Sequence, residues 1–408
     1  MDIAWTATIV LGLLGAGIVV VHLITAVGVV LTAVKDRALR RGLADGAGET
    51  ETTEATETEA TETGAEAERS REGPKVSVVI PAKNEQYALP RLLASLEEQD
   101  TDDFEIVLVN DRSTDATARI MKDFAARHGD RVRVVTVIAA PEGMNPKQNA
   151  LDHGAAAARG EIMLLTDSDC VVPREWVRLT ARYFDLDELG VIFGPVYPDD
   201  LRTWLSQYQS FDHVFRYFYT AGSAGIGNPT GGFGNNLAIR REALDAVGGF
   251  GGLRHSVTED AELICEVRDT GRWLIRSHLL RRATVHPEPQ RSVAALLKQG
   301  VRWNTGALFA PDPATRASFS TVMLFLFVSV ITAPLAVIFP PVLLLAMGSF
   351  VSMTLMGVMA GAFARRPLVY WWLLVPNVVV SMVFYSFVTL LTLLRMKISW
   401  KGSSVRRR

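Results

Sequence analysis

Apolar residues gather at the two ends of this chain and leave a mixed pattern between them. From 3 to 34 there is no Asp, Glu, Lys or Arg, and about 20 apolar residues suffice for a helix to cross a bilayer. Met1-Asp2 precede the run, and Lys35, Arg37, Arg40 and Arg41 follow it. A cleavable signal peptide carries a basic start and a shorter apolar core. The pattern therefore predicts an uncleaved anchor over 1–44, with the chain beyond it on the cytoplasmic side of the cell (inner) membrane. A second apolar block, 319–363, divides near Pro340-Pro341, and a third covers 368–394. About three further spans are expected over 319–394. Arg365-Arg366 and the basic tail, 395–408, both favour the cytoplasmic side although one span separates them. That conflict leaves the side of the C-terminus open and allows one helix to be interfacial or re-entrant.

The middle of the chain reads differently. Residues 45–73 are mostly Thr, Glu, Ala and Gly, a composition that buries too little surface to offset ordering entropy and predicts a disordered acidic linker. From 74 to 310, β-branched runs at 76–80, 106–109, 132–138 and 162–165 alternate with helix-compatible stretches such as 89–99 and 115–128. This is the rhythm of an α/β domain with a mostly parallel, buried sheet. Ligands on such sheets bind beyond the carboxyl ends of the strands. Those ends are Lys83-Asn84-Glu85, Asn110-Asp111-Arg112-Ser113 and Thr166-Asp167-Ser168-Asp169, so three strands deliver polar or acidic groups to one edge.

Charge and cysteine content narrow the classes. A formal net charge of −2 supplies no concentrated basic surface for a nucleic acid. Cys170 and Cys265 make no metal-ligand spacing with histidines and read as core or loop residues.

Three motifs carry chemistry. Asp167-Ser168-Asp169 sets two carboxylates one residue apart after a buried strand, an arrangement suited to Mg²⁺ or Mn²⁺ held jointly with substrate phosphates; taken alone it also reads as a turn. Thr258-Glu259-Asp260 opens a helix, with Thr258 a candidate cap and the acids favoured by the helix dipole. A sugar hydroxyl attacking an anomeric carbon needs a carboxylate to accept its proton, and Asp260 is the candidate for that work. Gln299-Gly300-Val301-Arg302-Trp303 lies in an amphipathic segment before the membrane block. It reads either as an interfacial helix with a snorkelling Arg or as a guanidinium and an indole offered to a pyrophosphate and a sugar ring.

In order, Asp111, Asp167 and Asp169, Asp260, then Gln299, Arg302 and Trp303 resemble the family 2 glycosyltransferases, above all their membrane-bound branch. The resemblance covers about 75–303, includes an opening strand like that at 76–85, and places Lys147 where relatives carry a basic residue ahead of the metal motif. It implies a GT-A (nucleotide-diphospho-sugar transferase) domain flanked by transmembrane helices and a divalent cation, Mg or Mn. By the same resemblance, Asp111 and Asp167 hold the nucleoside, Lys83, Asn84 and Glu85 line its base with Lys147 nearby, and Asp169 ligates the ion. Asp260 is the general base, Gln299 and Arg302 contact the diphosphate, Trp303 borders the acceptor, and the displacement inverts the anomeric centre. The donor is expected to be a nucleotide sugar, of uridine diphosphate by family habit. Gly300 departs from polymerising members, which often carry a second basic residue there, and Ser399-Trp400-Lys401-Gly402 is similar to the tail of lipid-glycosylating relatives. A membrane lipid acceptor is therefore expected ahead of a glycan chain extended by a processive synthase, with a non-catalytic membrane scaffold as the reading from another class. The glycine-rich stretch 225–241 reads equally as an acceptor-side loop or as turns alone, and His286 as structural.

Overall fold

The computed structural model describes residues 3–53, 75–141, 144–363, 368–394, 399–400 and 403–404. Most of the stretch read as a linker, the Arg365-Arg366 pair and most of the basic tail lie outside the described residues. Helix α1 (Ile3–Thr53) carries the first apolar run and continues through the basic residues that follow it.

The α/β domain begins with β1 (Val76–Ala82) and continues through α2 (Leu89–Glu97), β2 (Phe104–Asp111), α3 (Thr117–His128), β3 (Val132–Val137), α4 (Pro146–Ala157) and β4 (Ile162–Leu165). Short strand β5 (Cys170–Val171), α5 (Trp176–Ala181), β6 (Leu189–Phe193), α6 (Trp204–Gly225), β7 (Leu237–Arg240), α7 (Glu259–Asp269), β8 (Leu274–Ser277) and short strand β9 (His286–Pro287) complete it. Seven strands form one sheet in the order β3-β2-β1-β4-β7-β6-β8. β1 pairs in parallel with β2 and β4, β2 with β3, and β6 with β8, while β7 runs antiparallel to both neighbours. This is the mostly parallel sheet that the alternating pattern predicts, with the four early strands where the β-branched runs lie.

Period-two alternation assigns the strand side chains to two layers. Val78, Ile80, Ile106 and Leu108 pack with Leu89, Leu92, Met121 and Phe124 on one face. Val79, Val107, Val109 and Phe193 face the other way, into a core shared with Phe211, Phe218, Ile18, Val29, Met353 and Tyr385. The second core runs unbroken from the sheet into the apolar helices, and α6 is its bridge. α6 starts with a capping box in which Thr203 and Ser206 each accept from the other's backbone amide. Near its end, Gly222 and Gly225 meet Gly28 of α1 so closely that a Cβ at any of the three would overlap the facing backbone. Thr32 Oγ1 and Lys35 Nζ donate to the Ala221 and Gly225 carbonyls, each at 2.7 Å.

Amphipathic α8 (Val293–Leu308) leads to α9 (Pro313–Thr332), α10 (Leu343–Phe363) and α11 (Leu368–Leu393). With α1, the last three make four helices long and apolar enough to cross a membrane among the described residues. The start of α11 is tied to α10 by Tyr370 Oη donating to the Gly357 carbonyl (2.8 Å), and its end to α8 by Asn304 Nδ2 donating to Thr392 Oγ1 (3.1 Å).

Candidate active site

The loops after β1 and β2 hold each other in place. Asn84 and Arg112, at φ +55° and +54°, are the two non-glycine residues in the left-handed region among those described, a conformation that costs a side chain roughly 1–2 kcal/mol. Cross-bonds hold them there: the Asn84 amide donates to Ser113 Oγ (3.1 Å) and the Thr114 amide to Asn84 Oδ1 (2.8 Å). Asn84 is thus a loop tie and does not line the cavity described below, whereas Lys83, Glu85 and Asp111 do. Buried Asp111 accepts from Arg112 Nε (2.7 Å) through one oxygen, and its other oxygen, also buried, has no protein donor. An orphaned buried acceptor of this kind costs ~1–3 kcal/mol unless a ligand supplies the donor.

Lys147 enters from the first turn of α4, whose cap Asn145 accepts from the Lys147 amide (3.0 Å). Its ammonium bridges Asp167 Oδ1 (2.7 Å) and Glu259 Oε1 (3.0 Å). Burial would lower its pKa, but the carboxylates of Asp167, Glu259 and Asp260 outweigh it and hold the group above the usual lysine range. The metal-type motif and the Thr-Glu-Asp motif are thereby joined by one cation.

Asp260 sits beside that bridge. Its Oδ2 accepts from the Gly234 amide (2.8 Å) and its Oδ1 from the Ala261 amide (2.9 Å). Burial first, then the Glu259 carboxylate, pushes its pKa up to about 6, against the opposing pull of Lys147 and the two N–H donors. A Cβ at Gly234 would stand 3.0 Å from the Asp260 Cβ, so glycine permits the approach. Thr258 occupies the cap position of α7 but makes no capping bond; its side chain packs instead where a Cβ on Gly306 of α8 would fall. The capping explanation of this motif fails on that point.

Asp169 is pinned from behind: its carbonyl accepts from the Glu288 amide (2.9 Å), and β5 pairs with β9. His286 binds the Tyr197 carbonyl through Nδ1 (3.0 Å), a structural role. The Cys170 thiol is buried, and burial, then Asp169 and Asp167, push its pKa up. Both cysteines are free and buried.

From α8, Gln299, Arg302 and Trp303 line the same cavity. Gln299 Oε1 is buried without a protein donor. Trp303 is flanked by the Arg216 guanidinium, 4.9 Å from its ring centre, and by the His213 ring at 5.5 Å. Arg216 Nε donates to Asp212 (2.8 Å), whose other oxygen accepts from Tyr385 Oη of α11. Gly300 faces α11, where a Cβ would come 3.0 Å from Phe384 and 3.1 Å from Val388. A basic side chain has no room there, which accounts for the departure seen in the sequence.

The cavity measures about 940 Å³. It reaches from Asp111, Asp167, Asp169 and Asp260 to His22 and Thr25 of α1, Tyr219 of α6, Phe319 and Leu326 of α9 and Met353 of α10. Acidic sheet edge and apolar helices share one space.

A model of glycosyl transferase family 21 matches residues 20–408. The chain belongs to this family. The motif resemblance to family 2 therefore holds at the level of type, and the family number is 21. Among relatives, a beta-monoglucosyldiacylglycerol synthase of Synechocystis sp. is 27% identical over 239 residues, 57% of this chain and 48% of that one. An undecaprenyl-phosphate 4-deoxy-4-formamido-L-arabinose transferase of Enterobacter sp. is 32% identical over 178 residues, 42% of this chain and 51% of the other. The chain spans about half the length of the curated relatives it matches. A solved mannosyltransferase, PcManGT from Pyrobaculum calidifontis in complex with GDP-Man and Mn2+, is 17% identical with a TM-score of 0.49, covering 92% of this chain and all of that one.

Within this family 21 chain, every residue given a role at the site from the sequence lines the cavity except Asn84. Asp212, His213, Arg216 and Tyr385 carry no motif in the sequence, and Glu259 received no site role there. Glu259 was legible as the middle of its motif; Asp212 and Arg216 had a signal in an i, i+4 charge pair inside the aromatic run of α6. Tyr385, far off in the chain, had none.

Proposed function

We propose that this protein transfers a sugar from a nucleotide-diphosphate donor to the hydroxyl of a membrane lipid, in one displacement that inverts the anomeric centre. The observation that carries the reading is the single cavity joining the acidic sheet edge to the apolar helices. A lipid can then lie among α1, α9 and α10 while its hydroxyl meets Asp260. In this reading Asp111 and Asp167 hold the nucleoside beside Lys83, Glu85 and Lys147, and the unmet Asp111 oxygen accepts from the donor nucleotide. Gln299 and Arg302 meet the diphosphate, and Trp303 borders the acceptor. Asp260, at a pKa of about 6, is ionised at neutral pH and basic enough to take the proton of the attacking hydroxyl.

The donor set fits a divalent cation shared with the substrate. Among the described residues no group of three or more His, Cys, Asp or Glu forms a cage. By the family resemblance Asp169 would hold the ion, and Mg²⁺ or Mn²⁺ suits a carboxylate shared with substrate phosphates. Such an ion would neutralise charge on the departing nucleoside diphosphate. Lys35, Arg37, Arg40 and Arg41 beyond the first span favour a cytoplasmic site.

Membranes incubated with a labelled uridine diphosphate sugar test the reading. A discrete product extracted by organic solvent is expected. A polymer ladder would favour the processive synthase, and no metal-dependent product of either kind would remove the proposal.

A further inference from the structure

In the membrane-side wall of the cavity stands an imidazole with an unmet nitrogen. His22 lies within the apolar run of α1 and has no exposed surface. Its Nδ1 is 2.9 Å from the Ile18 carbonyl, and its ring meets Tyr219 edge to face at 5.7 Å. His22 Nε2 is buried and has no hydrogen-bond partner, Tyr219 Oη is buried beside the Thr25 hydroxyl, and His22 and Tyr219 both line the cavity. The Thr25 hydroxyl donates to the Val21 carbonyl at 3.0 Å and keeps its oxygen as an acceptor for Tyr219 Oη.

The tautomer follows from the Ile18 contact. A carbonyl only accepts, so Nδ1 carries the proton, and the neutral ring of this cavity-lining residue keeps Nε2 as its acceptor. An unmet polar group costs ~1–3 kcal/mol, and an ionisable side chain within a membrane segment marks a substrate path by default. At ~1.5 Å rise per residue, His22 lies roughly 20 Å along α1 from Lys35, which bonds the end of α6. His22 belongs to the apolar α1 wall of the cavity and Asp260 to its acidic sheet edge, so a lipid whose hydroxyl meets Asp260 presents its body to His22.

We propose that His22 and Tyr219 form a subsite for an O–H or N–H donor carried on the body of the lipid acceptor, separate from the hydroxyl that takes the sugar. The proposal rests on the lipid-acceptor reading above. It makes His22 a determinant of acceptor choice with no part in donor chemistry.

Two lipids that differ in one feature test it: 1,2-diricinoleoylglycerol carries an in-chain hydroxyl on each acyl chain, and 1,2-dioleoylglycerol carries none. With the purified full-length chain in detergent, the hydroxylated lipid is expected to raise the melting point by several degrees more than the other. His22→Leu should abolish that difference, and His22→Gln, which keeps an acceptor oxygen, should retain it. Equal shifts for the two lipids in the unaltered chain, or no shift with either, would overturn the subsite and leave a bound water as its occupant. In transfer assays the hydroxylated lipid should show a KM at least fivefold lower, a gap that His22→Leu closes without altering donor KM. If the melting points still differ but neither lipid receives sugar, the hydroxylated lipid binds without being the acceptor, and the acceptor role of the subsite is overturned.

Discussion

The two halves of the cavity are built by different means. At the sheet edge, charged groups arrive on strand ends and helix N-termini and are matched at once: Lys147 by Asp167 and Glu259, Asp260 by two backbone amides. On the membrane side, polar groups stand singly or in pairs within apolar walls, such as Asp212 with Arg216 and His22 with its unmet nitrogen. The edge is arranged to manage charge that develops and departs, and the membrane half to admit apolar surface and read a few polar marks on it. Substitutions should therefore separate the halves, with edge changes acting on donor chemistry and membrane-side changes acting on the acceptor.

The largest effect is expected from Asp260→Asn. Loss of the base should lower transfer by about 10²–10⁴-fold, measured with saturating donor. The pKa shift of Asp260 also sets the sign of a pH-dependent stability contribution. A carboxyl whose folded pKa is raised from 3.8 to about 6 contributes stability that is full below 3.8 and is lost as pH rises through 6. At neutral pH the amide avoids that penalty, worth roughly 1–3 kcal/mol, but its NH2 meets one of the two backbone N–H donors, a loss of ~1–3 kcal/mol, so the melting point should stay near that of the unaltered chain. Intact turnover in this variant would sink the base assignment and favour the scaffold.

Next in size is Lys147→Met, which leaves Asp167 and Glu259 facing one another without a cation. Stripping one partner from a buried ion pair costs about 3–5 kcal/mol, and donor binding should weaken at least tenfold, read by titration calorimetry. Lys147 also pulls the Asp260 pKa down, so the pH midpoint of any residual transfer should move upward. In the unaltered chain kcat should climb through pH about 6 as Asp260 ionises. A flat profile from pH 5 to 8 would show that another group takes the proton.

How much of this is legible in the sequence follows the same division. Buried parallel strands announce themselves as β-branched runs, and their ends fall next to them in the chain, so the approach of Asp111, Asp167 and Asp169 to one edge was readable. Asp260 needed the motif order as well, because β6, α6 and β7 intervene before its helix. The Lys147 bridge was not readable, since spacing does not say which carboxylate a long flexible side chain meets. Thr258 shows the opposite failure, a residue of capping type that packs on Gly306 because tertiary contact overrides local preference. The membrane half was least legible: helix periodicity marks which residues are apolar but not which helices pack together, so Tyr385 and Asp212 had no visible relation. The conflict between the two basic clusters flanking α11 stays with residues outside those described.

The smallest effect sharpens the comparison most, because it tests whether the halves are separable at their seam. Arg216 lies between them, bonded to Asp212 and stacked on Trp303. Arg216→Lys keeps the charge and its carboxylate partner but removes the planar face that meets the indole. A cation–π contact of this kind is worth ~0.5–2 kcal/mol, so acceptor KM should rise about three- to tenfold while donor KM stays within twofold. Arg216→Met should do more, since Asp212 would then remain buried with Tyr385 as its sole named partner. If Arg216→Lys instead weakens the donor, Trp303 belongs to the nucleotide side of the cavity, and the boundary drawn through α6 must move toward the membrane.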